Sequence, residues 1–486
     1  MRRAWLLLAL ACSLGCVPLA SGAAPRAAAQ PTRADVAATP AATPASESPA
    51  VTFESLRVEL PGGSERFRIE DDPDRALVAS VYSLPSPWID AGEARALLAA
   101  VRQADPRREV LVLADEPMAQ RLAPLAAAGG VRLLPTRGVD YSPWPRDPFS
   151  FARASNGAVR VVVRPNLQRG READATMGPE LVRGLPPELD RAWGGVRWAK
   201  SAVPFHNGQV LLTRDAAWVS LHTFEPRILE LLGVARVPVD SFDTAAGIDA
   251  YLAANAKAAD ELGALYGRPV RFVHPLPAAT AGATPGATQP ARTALLQRLA
   301  GGAGYDLDSL LTLLPAARGG SPSALVADVA AGERLLAGLD APQWSALAAA
   351  YRLETRDLAA GLAAAAASPR GRALASYLDL VAGHLRGEGF AVSRLPLVVV
   401  PAAVLRDPGS IPDEYFFLTW NNVVVERRGD GLRAEGFASL LPAGDERARQ
   451  AFAAAGAHLD LLPPLLGSVT RNGGYRCASN HLRAAD

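Results

Sequence analysis

An α/β fold built from repeated strand-and-helix units is the architecture predicted by this sequence. Three observations point to it. Short apolar runs of strand length alternate with helical patterns from about residue 76. The same alternation returns after residue 370. Between the two lie a low-complexity stretch and an alanine-rich helical stretch, which read as insertions.

The N-terminal region is read first. Residues 1–23 have the form of a secretory signal, with Arg2 and Arg3 ahead of an apolar run, 4–14, too short to span a bilayer. Ser13-Leu14-Gly15-Cys16 approximates a bacterial lipobox and would put a lipid anchor on Cys16. Cleavage after Ser21-Gly22-Ala23 is the rival exit; the lipoprotein reading is preferred because Gly15 suits the position before the cysteine. On either exit the mature chain is exported and works in the bacterial cell envelope. Residues 24–50, mostly Ala, Pro, Thr and Ser, cannot bury enough surface to order themselves and read as a flexible tether. Residues 51–486 form the folded domain.

Within that domain residues 76–82 read as a strand. Asp90 then precedes a helix, with Glu93 at the spacing of a capping box and Leu97, Leu98 and Val101 on one face. Residues 110–113 read as a second strand, 118–128 as a second helix and 131–134 as a third strand. Farther on, a helix over 373–387 leads into a strand at 395–400. Residues 416–420 and 423–426 read as paired strands around Asn421-Asn422, and a helix over 446–455 precedes a strand at 458–462. The insertions fall at about 275–300, a loop of Ala, Thr, Gly and Pro, and at 320–370. The second has Leu335, Leu336, Leu339, Trp344 and Leu347 as its apolar positions, and reads as a small helical lid or subdomain.

Formal net charge is +1 and the arginines are scattered, so neither a nucleic-acid surface nor a membrane patch is implied; the only membrane attachment expected is the anchor on Cys16. The histidines are dispersed, no metal site is apparent, and no nucleotide-binding glycine loop occurs. No cofactor is expected.

Chemistry concentrates at a few places. Of three cysteines, Cys12 and Cys16 lie in the export segment, so the folded body carries one thiol, Cys477, within Asn472-Gly473-Gly474-Tyr475-Arg476-Cys477. A thiol without a disulfide partner in an exported protein is either a nucleophile or a buried inert cysteine. The glycine pair permits close approach of the backbone, and Arg476 and His481 offer charge that would favour thiolate. A second place is Tyr141-Ser142-Pro143-Trp144-Pro145-Arg146-Asp147, where prolines fix the backbone and a flat ring lies beside a carboxylate. That pairing suits a planar cation, and a rigid loop with an Arg–Asp pair is the plainer alternative.

Trp-x-Arg-Asp early and Gly-Gly-x-Arg-Cys late resemble the guanidine-modifying, or pentein, superfamily of arginine, agmatine and peptidylarginine deiminases and dimethylarginine hydrolases. The resemblance runs loosely over residues 75–483. It implies a five-bladed α/β propeller of ββαβ units around a central site, here with a helical insertion. It further implies that Asp147 and an acid in mid-chain grip a guanidinium, that Cys477 attacks its carbon, and that a thiouronium is then hydrolysed to a ureido product.

Phe205-His206-Asn207-Gly208-Gln209 is similar to a strand-start motif of the family, with His206 where a carboxylate is usual. The family's central His-x-Asp has its best positional match at Asp306-Leu307-Asp308, with Asp306 in the place of histidine. If the segment is extended, the two acids share one face; an aspartate-capped helix is the alternative. His458-Leu459-Asp460 lies in the wrong place and reads as structural. The expected catalytic set is therefore Cys477, Asp147, Asp308 and His206, the last as proton carrier. Trp144, Arg146, Asp306 and Asn421 are expected to contact the substrate, a small guanidino compound or the arginine of a peptide. A catalytically degenerate pentein with a binding or structural role is the first alternative. A thiol amidase or peptidase using His481 or His222 is the second.

Overall fold

The computed structural model describes residues 67–485, apart from 137–140, 166–170, 202, 235–243, 277–306, 317–319, 355–357 and 406–414. The segment expected to direct export, with Cys16, the expected tether, Asp306 and nearly all of the first expected insertion lie outside the described residues. Those residues form a mixed α/β structure with five sheets.

Each sheet repeats one plan. Two antiparallel strands come first, then one or more helices, then a strand parallel to the second of the pair. Phe149–Ala154 and Val159–Val163 are joined in this way by Arg197–Lys200. Val210–Leu212 and Ala217–Val219 are joined by Val270–Phe272, after the 22-residue helix Ala245–Tyr266. Leu311–Leu314 and Ser323–Asp328 are joined by Ala391–Pro401, and Val424–Arg428 and Gly431–Phe437 by Ala457–Leu462. The fifth sheet is assembled from sequence-distant parts. Ser479–Arg483 pairs antiparallel with Leu77–Ser83, which runs parallel to Glu109–Ala114 and on to Arg132–Pro135. The parallel strands are covered on both faces, so Val110, Leu111 and Val112 are all fully buried, and their sequence is unbroken apolar rather than alternating.

The helix Ala91–Ala104 buries Leu97, Leu98 and Val101, the face its spacing predicts, at about 1.5–3 kcal/mol per side chain. Asp90 caps it by accepting from the amides of Gly92 and Glu93. The capping box is not closed, however. The Glu93 carboxylate accepts instead from the amide of Leu466, 2.9 Å away, and so fastens this helix to the segment before the thiol loop.

Two further expectations are corrected. Residues 320–370 do not begin as a helical insertion: Ser323–Asp328 is an interior strand, because Ala324, Leu325 and Val326 are buried between neighbours on either side. Helices Val329–Ala337, Ala341–Ala350 and Leu358–Ala366 follow it, and Leu335, Leu336 and Leu347 enter the main core. Nor are the strands flanking Asn421-Asn422 paired with each other. Tyr415–Thr419 pairs with Ala391–Pro401, whereas Val424–Arg428 pairs with Gly431–Phe437. The two asparagines therefore mark a crossing from one sheet to the next.

A buried polar knot ties the fifth sheet to its neighbour. The Arg108 guanidinium donates to both oxygens of Glu435, at 2.6 and 2.7 Å, and to Glu426 at 3.4 Å. The Tyr475 hydroxyl donates to Glu435 at 2.9 Å and meets the Tyr82 hydroxyl at 2.8 Å. Each charge in this dry region is paired, as burial demands. The knot also fixes Tyr475, two residues before the thiol.

Candidate active site

The lead strand of each sheet, the one that opens the antiparallel pair of the plan above, is preceded at short range by one chemically distinctive residue. Asp147 stands ahead of Phe149–Ala154, His206 ahead of Val210–Leu212, Asp308 ahead of Leu311–Leu314, Asn422 ahead of Val424–Arg428, and Cys477 ahead of Ser479–Arg483. All five are buried.

Cys477 is held by Asn422. The Asn422 amide donates to Sγ at 3.1 Å, and its carbonyl oxygen accepts from the Cys477 backbone at 3.2 Å. The sulfur also lies 3.8 and 4.0 Å from the two carboxylate oxygens of Asp308. The glycine pair makes this possible, though for side chains of the chain itself: a Cβ on Gly474 would strike Asn422, and one on Gly473 would strike Trp144 and Ser468. The Trp144 indole N–H donates to Ser468 Oγ at 3.0 Å. The tryptophan loop and the thiol loop therefore pack directly on each other.

Asp308 lies in a helical turn, Leu307–Leu310, not in an extended segment, so the aspartate-at-a-helix-start alternative describes the backbone here. Burial raises its carboxyl above the ordinary range against the pull of Arg476, and the charge of Asp147 adds to the rise. The two acids thus act on each other within one buried cluster. Asp147 remains below the ordinary range: burial opposes ionisation, but Arg171 and His206 outweigh it.

Each of these acids already holds a guanidinium. Arg171 donates to Asp147 at 2.6 Å, and its Cζ lies over the Trp144 ring, 4.8 Å from the ring centre. Arg476 donates to Asp308 at 2.8 Å and to the carbonyls of Asn207 and Val210. Burial works against the Arg476 charge, but Asp308 and Asp71 hold it, and the sulfur of Cys477 contributes in the same direction.

His206 places Nε2 3.8 Å from Asp147, beyond hydrogen-bond reach. Burial is the main cause that pushes its pKa down to about 3, and Asp147 counters it only in part, so the resting imidazole is neutral at pH 7. His481 faces elsewhere, its two ring nitrogens held by Ser80 and Ser479 at 2.9 and 2.8 Å. His458 sits exposed on the Ala457–Leu462 strand, 3.4 Å from Asp460.

Arg146 and Asn421, expected at the substrate, have other partners. Arg146 is buried and donates to Asp71 at 2.6 Å. The side chain of Asn421 meets Thr312 and the carbonyl of Leu310. Asn422, one residue on, is the group that touches sulfur. Asp71 and Arg171 carried no signal in the sequence, since which acid an arginine chooses is settled by the fold. Asn422 had a positional one, its place just ahead of a lead strand.

Acid sensitivity follows from the histidines. His206 and His274 are pushed down to about 3, and His481 well below its ordinary value, in each case chiefly by burial. Between pH 6.5 and about 3 the unfolded chain binds protons that the folded one refuses, so stability falls as pH falls through that window. The urea midpoint should therefore be lower at pH 5 than at pH 7 with little change in slope, and His206→Gln should reduce the difference. An equal midpoint at both pH values would contradict the burial of these rings.

No protein-family model matches the sequence, and no curated protein matches it. Solved structures do. An agmatine deiminase from C. jejuni is similar with a TM-score of 0.50 at 10% identity, over 86% of this chain and 96% of that one. The chain has the fold of the pentein deiminases. A structural-genomics target proposed to be an agmatine deiminase gives 13% identity and a TM-score of 0.49, covering 86% and 96% of the two chains. The Enterococcus faecalis agmatine deiminase gives 10% and 0.46, covering 86% and 95%. In this pentein fold a cavity of about 780 Å³ is lined at the far ends of the lead strands by Thr213, Pro315 and Gly429 among others, away from Cys477. A smaller cavity of about 30 Å³ is lined by Asp71, Asn421 and Arg476, with room for about two waters.

Proposed function

We propose that this chain is a guanidino-group hydrolase of the deiminase type, with Cys477 as nucleophile. The observation that carries the reading is the contact of the Cys477 sulfur with Asp308 and Asn422, in a cluster that also holds Asp147, Trp144 and His206. The five sheets serve as five blades around this cluster, each lead strand starting at one of its members.

Asp147 and Asp308 grip the planar cation by charge-assisted hydrogen bonds, once it has displaced the arginines now held there. His206, neutral at rest, takes the thiol proton as sulfur bonds to the guanidinium carbon, and one C=N electron pair moves to nitrogen. The C–N bond then breaks, and the departing amine or ammonia carries away the proton from His206. Water attacks the resulting thiouronium; one of its protons passes through His206 to sulfur as the C–S bond breaks and the other is taken up by the released ammonia or amine, which leaves a neutral ureido product and the free thiol. The work is done outside the cytoplasm, in keeping with the signal-like N-terminal segment.

The test is incubation of the mature chain with free arginine, agmatine and arginyl peptides, followed by assay of ureido product and ammonia. One substrate class should give both in equal amounts, and His206→Ala should slow turnover by about 10²–10⁴-fold. Unchanged turnover in that variant would remove the histidine from the mechanism. A second reading, a pentein domain that binds or only scaffolds, is favoured by the occupation of both acids by Arg171 and Arg476. Absence of product from every guanidine would remove the hydrolase reading, and Cys477 still alkylated by iodoacetamide would then point to another thiol chemistry rather than to a scaffold.

A further inference from the structure

The side chain of Arg171 meets the arrangement that an incoming guanidinium would need. Its Nη1 donates to Asp147 at 2.6 Å, its Nε to Asp174 at 2.9 Å and its Nη2 to Ser142 Oγ at 2.8 Å. Its Cζ lies over the ring of Trp144, 4.8 Å from the ring centre. All three nitrogens of the planar fork are thus engaged while the cation sits over the ring, the recognition that separates a guanidinium from an ammonium. We propose that Arg171 is the resident occupant of the guanidinium subsite of Trp144 and Asp147, and that an external alkylguanidinium binds there only in its place. This rests on the reading of Trp144 and Asp147 as the substrate grip.

Two features show that the occupant can leave. Arg171 keeps 14% of its side chain exposed, against 6% for Arg476, so it has a path to solvent. The turn that carries it is also docked independently, because Asp174 accepts from the Ser142 amide at 2.9 Å and from its hydroxyl at 2.7 Å. Removal of the guanidinium therefore leaves Trp144, Asp147 and the turn in position around a vacated planar slot. The ligand class is set by that slot: a monosubstituted guanidinium fits it, and a primary ammonium lacks the fork.

Calorimetric titration with methylguanidinium tests this in a Cys477→Ser background, where turnover plays no part. Arg171→Ala should bind methylguanidinium at least tenfold more tightly than the parent, methylammonium should show no such gain, and adding Asp147→Asn should abolish it. Where the alanine variant does not fold, Arg171→Gln keeps donors for Asp174 and should give the same ordering. Equal affinity of parent and variant would overturn the proposal, as would no gain in a natively folded variant or a gain that survives Asp147→Asn. A chain without turnover would leave this titration unaffected, so failure of the hydrolase reading and failure of this one are separable.

Discussion

Cys477→Ser should take ureido-product formation at least about 10⁴-fold down while leaving the fold as it is. The substitution exchanges sulfur for oxygen without altering the branch points of the side chain. The Asn422 amide that donates to sulfur at 3.1 Å can donate equally to a hydroxyl. What changes is ionisation. A thiol is intrinsically far more acidic and more nucleophilic than an alcohol, which stays protonated at neutral pH. The unfolding midpoint should move by no more than about 0.5–1 kcal/mol equivalent, the range for a substitution that opens no cavity. Product formed by the serine variant at even a tenth of the parental rate would show that the reaction proceeds without covalent attack by this residue.

Asp71→Ala should be the most damaging single change to stability, costing about 3–5 kcal/mol, a large share of an ordinary domain's total. Its carboxylate accepts from Arg146 at 2.6 Å, from Arg476 at 3.2 Å and from Arg483 at 3.0 and 2.9 Å. Those arginines come from the tryptophan loop, the thiol loop and the strand after it. Burial would discourage an anion there, but the three cations hold the Asp71 carboxyl well below the usual range. Without the acid they face one another; already Arg146 is pushed down to about 10 by burial and by the charge of Arg476. Urea unfolding at pH 7 measures the loss. Asp71→Asn, which keeps an acceptor oxygen but no charge, should fall between. A loss under about 1 kcal/mol for the alanine variant would mean that water or another acid takes over the three guanidiniums.

The sequence was most informative where local constraints coincide with chemistry. The glycine pair before Cys477 and the proline-fixed Trp144 loop are legible because tight backbone and reactive side chain are neighbours in the chain. The alternation that reveals α/β units is likewise local, as is the cap of Asp90. The reading fails where partners are chosen across sheets. Nothing near Arg146 says that it will prefer Asp71 to a ligand, and nothing near Glu93 says that it will hold Leu466 rather than its own helix. Asn421 and Asn422 are identical in type, and which of them meets sulfur depends on the sheet crossing between them, not on composition. Residues 323–328 illustrate the same limit, since an apolar run beside alanine-rich helices has no periodicity to separate strand from helix.

The pairing of Ser479–Arg483 with Leu77–Ser83 joins segments about 400 residues apart, and Cys477 lies immediately before that pairing. Folding during synthesis proceeds from the first-made part of the chain, so the other four sheets can form while this one still lacks its lead strand. On the proposed mechanism, chemical competence then arrives as a single late event. A ribosome stalled short of residue 479, or a protease that removes the final strand, would yield a largely compact body with no reactive centre.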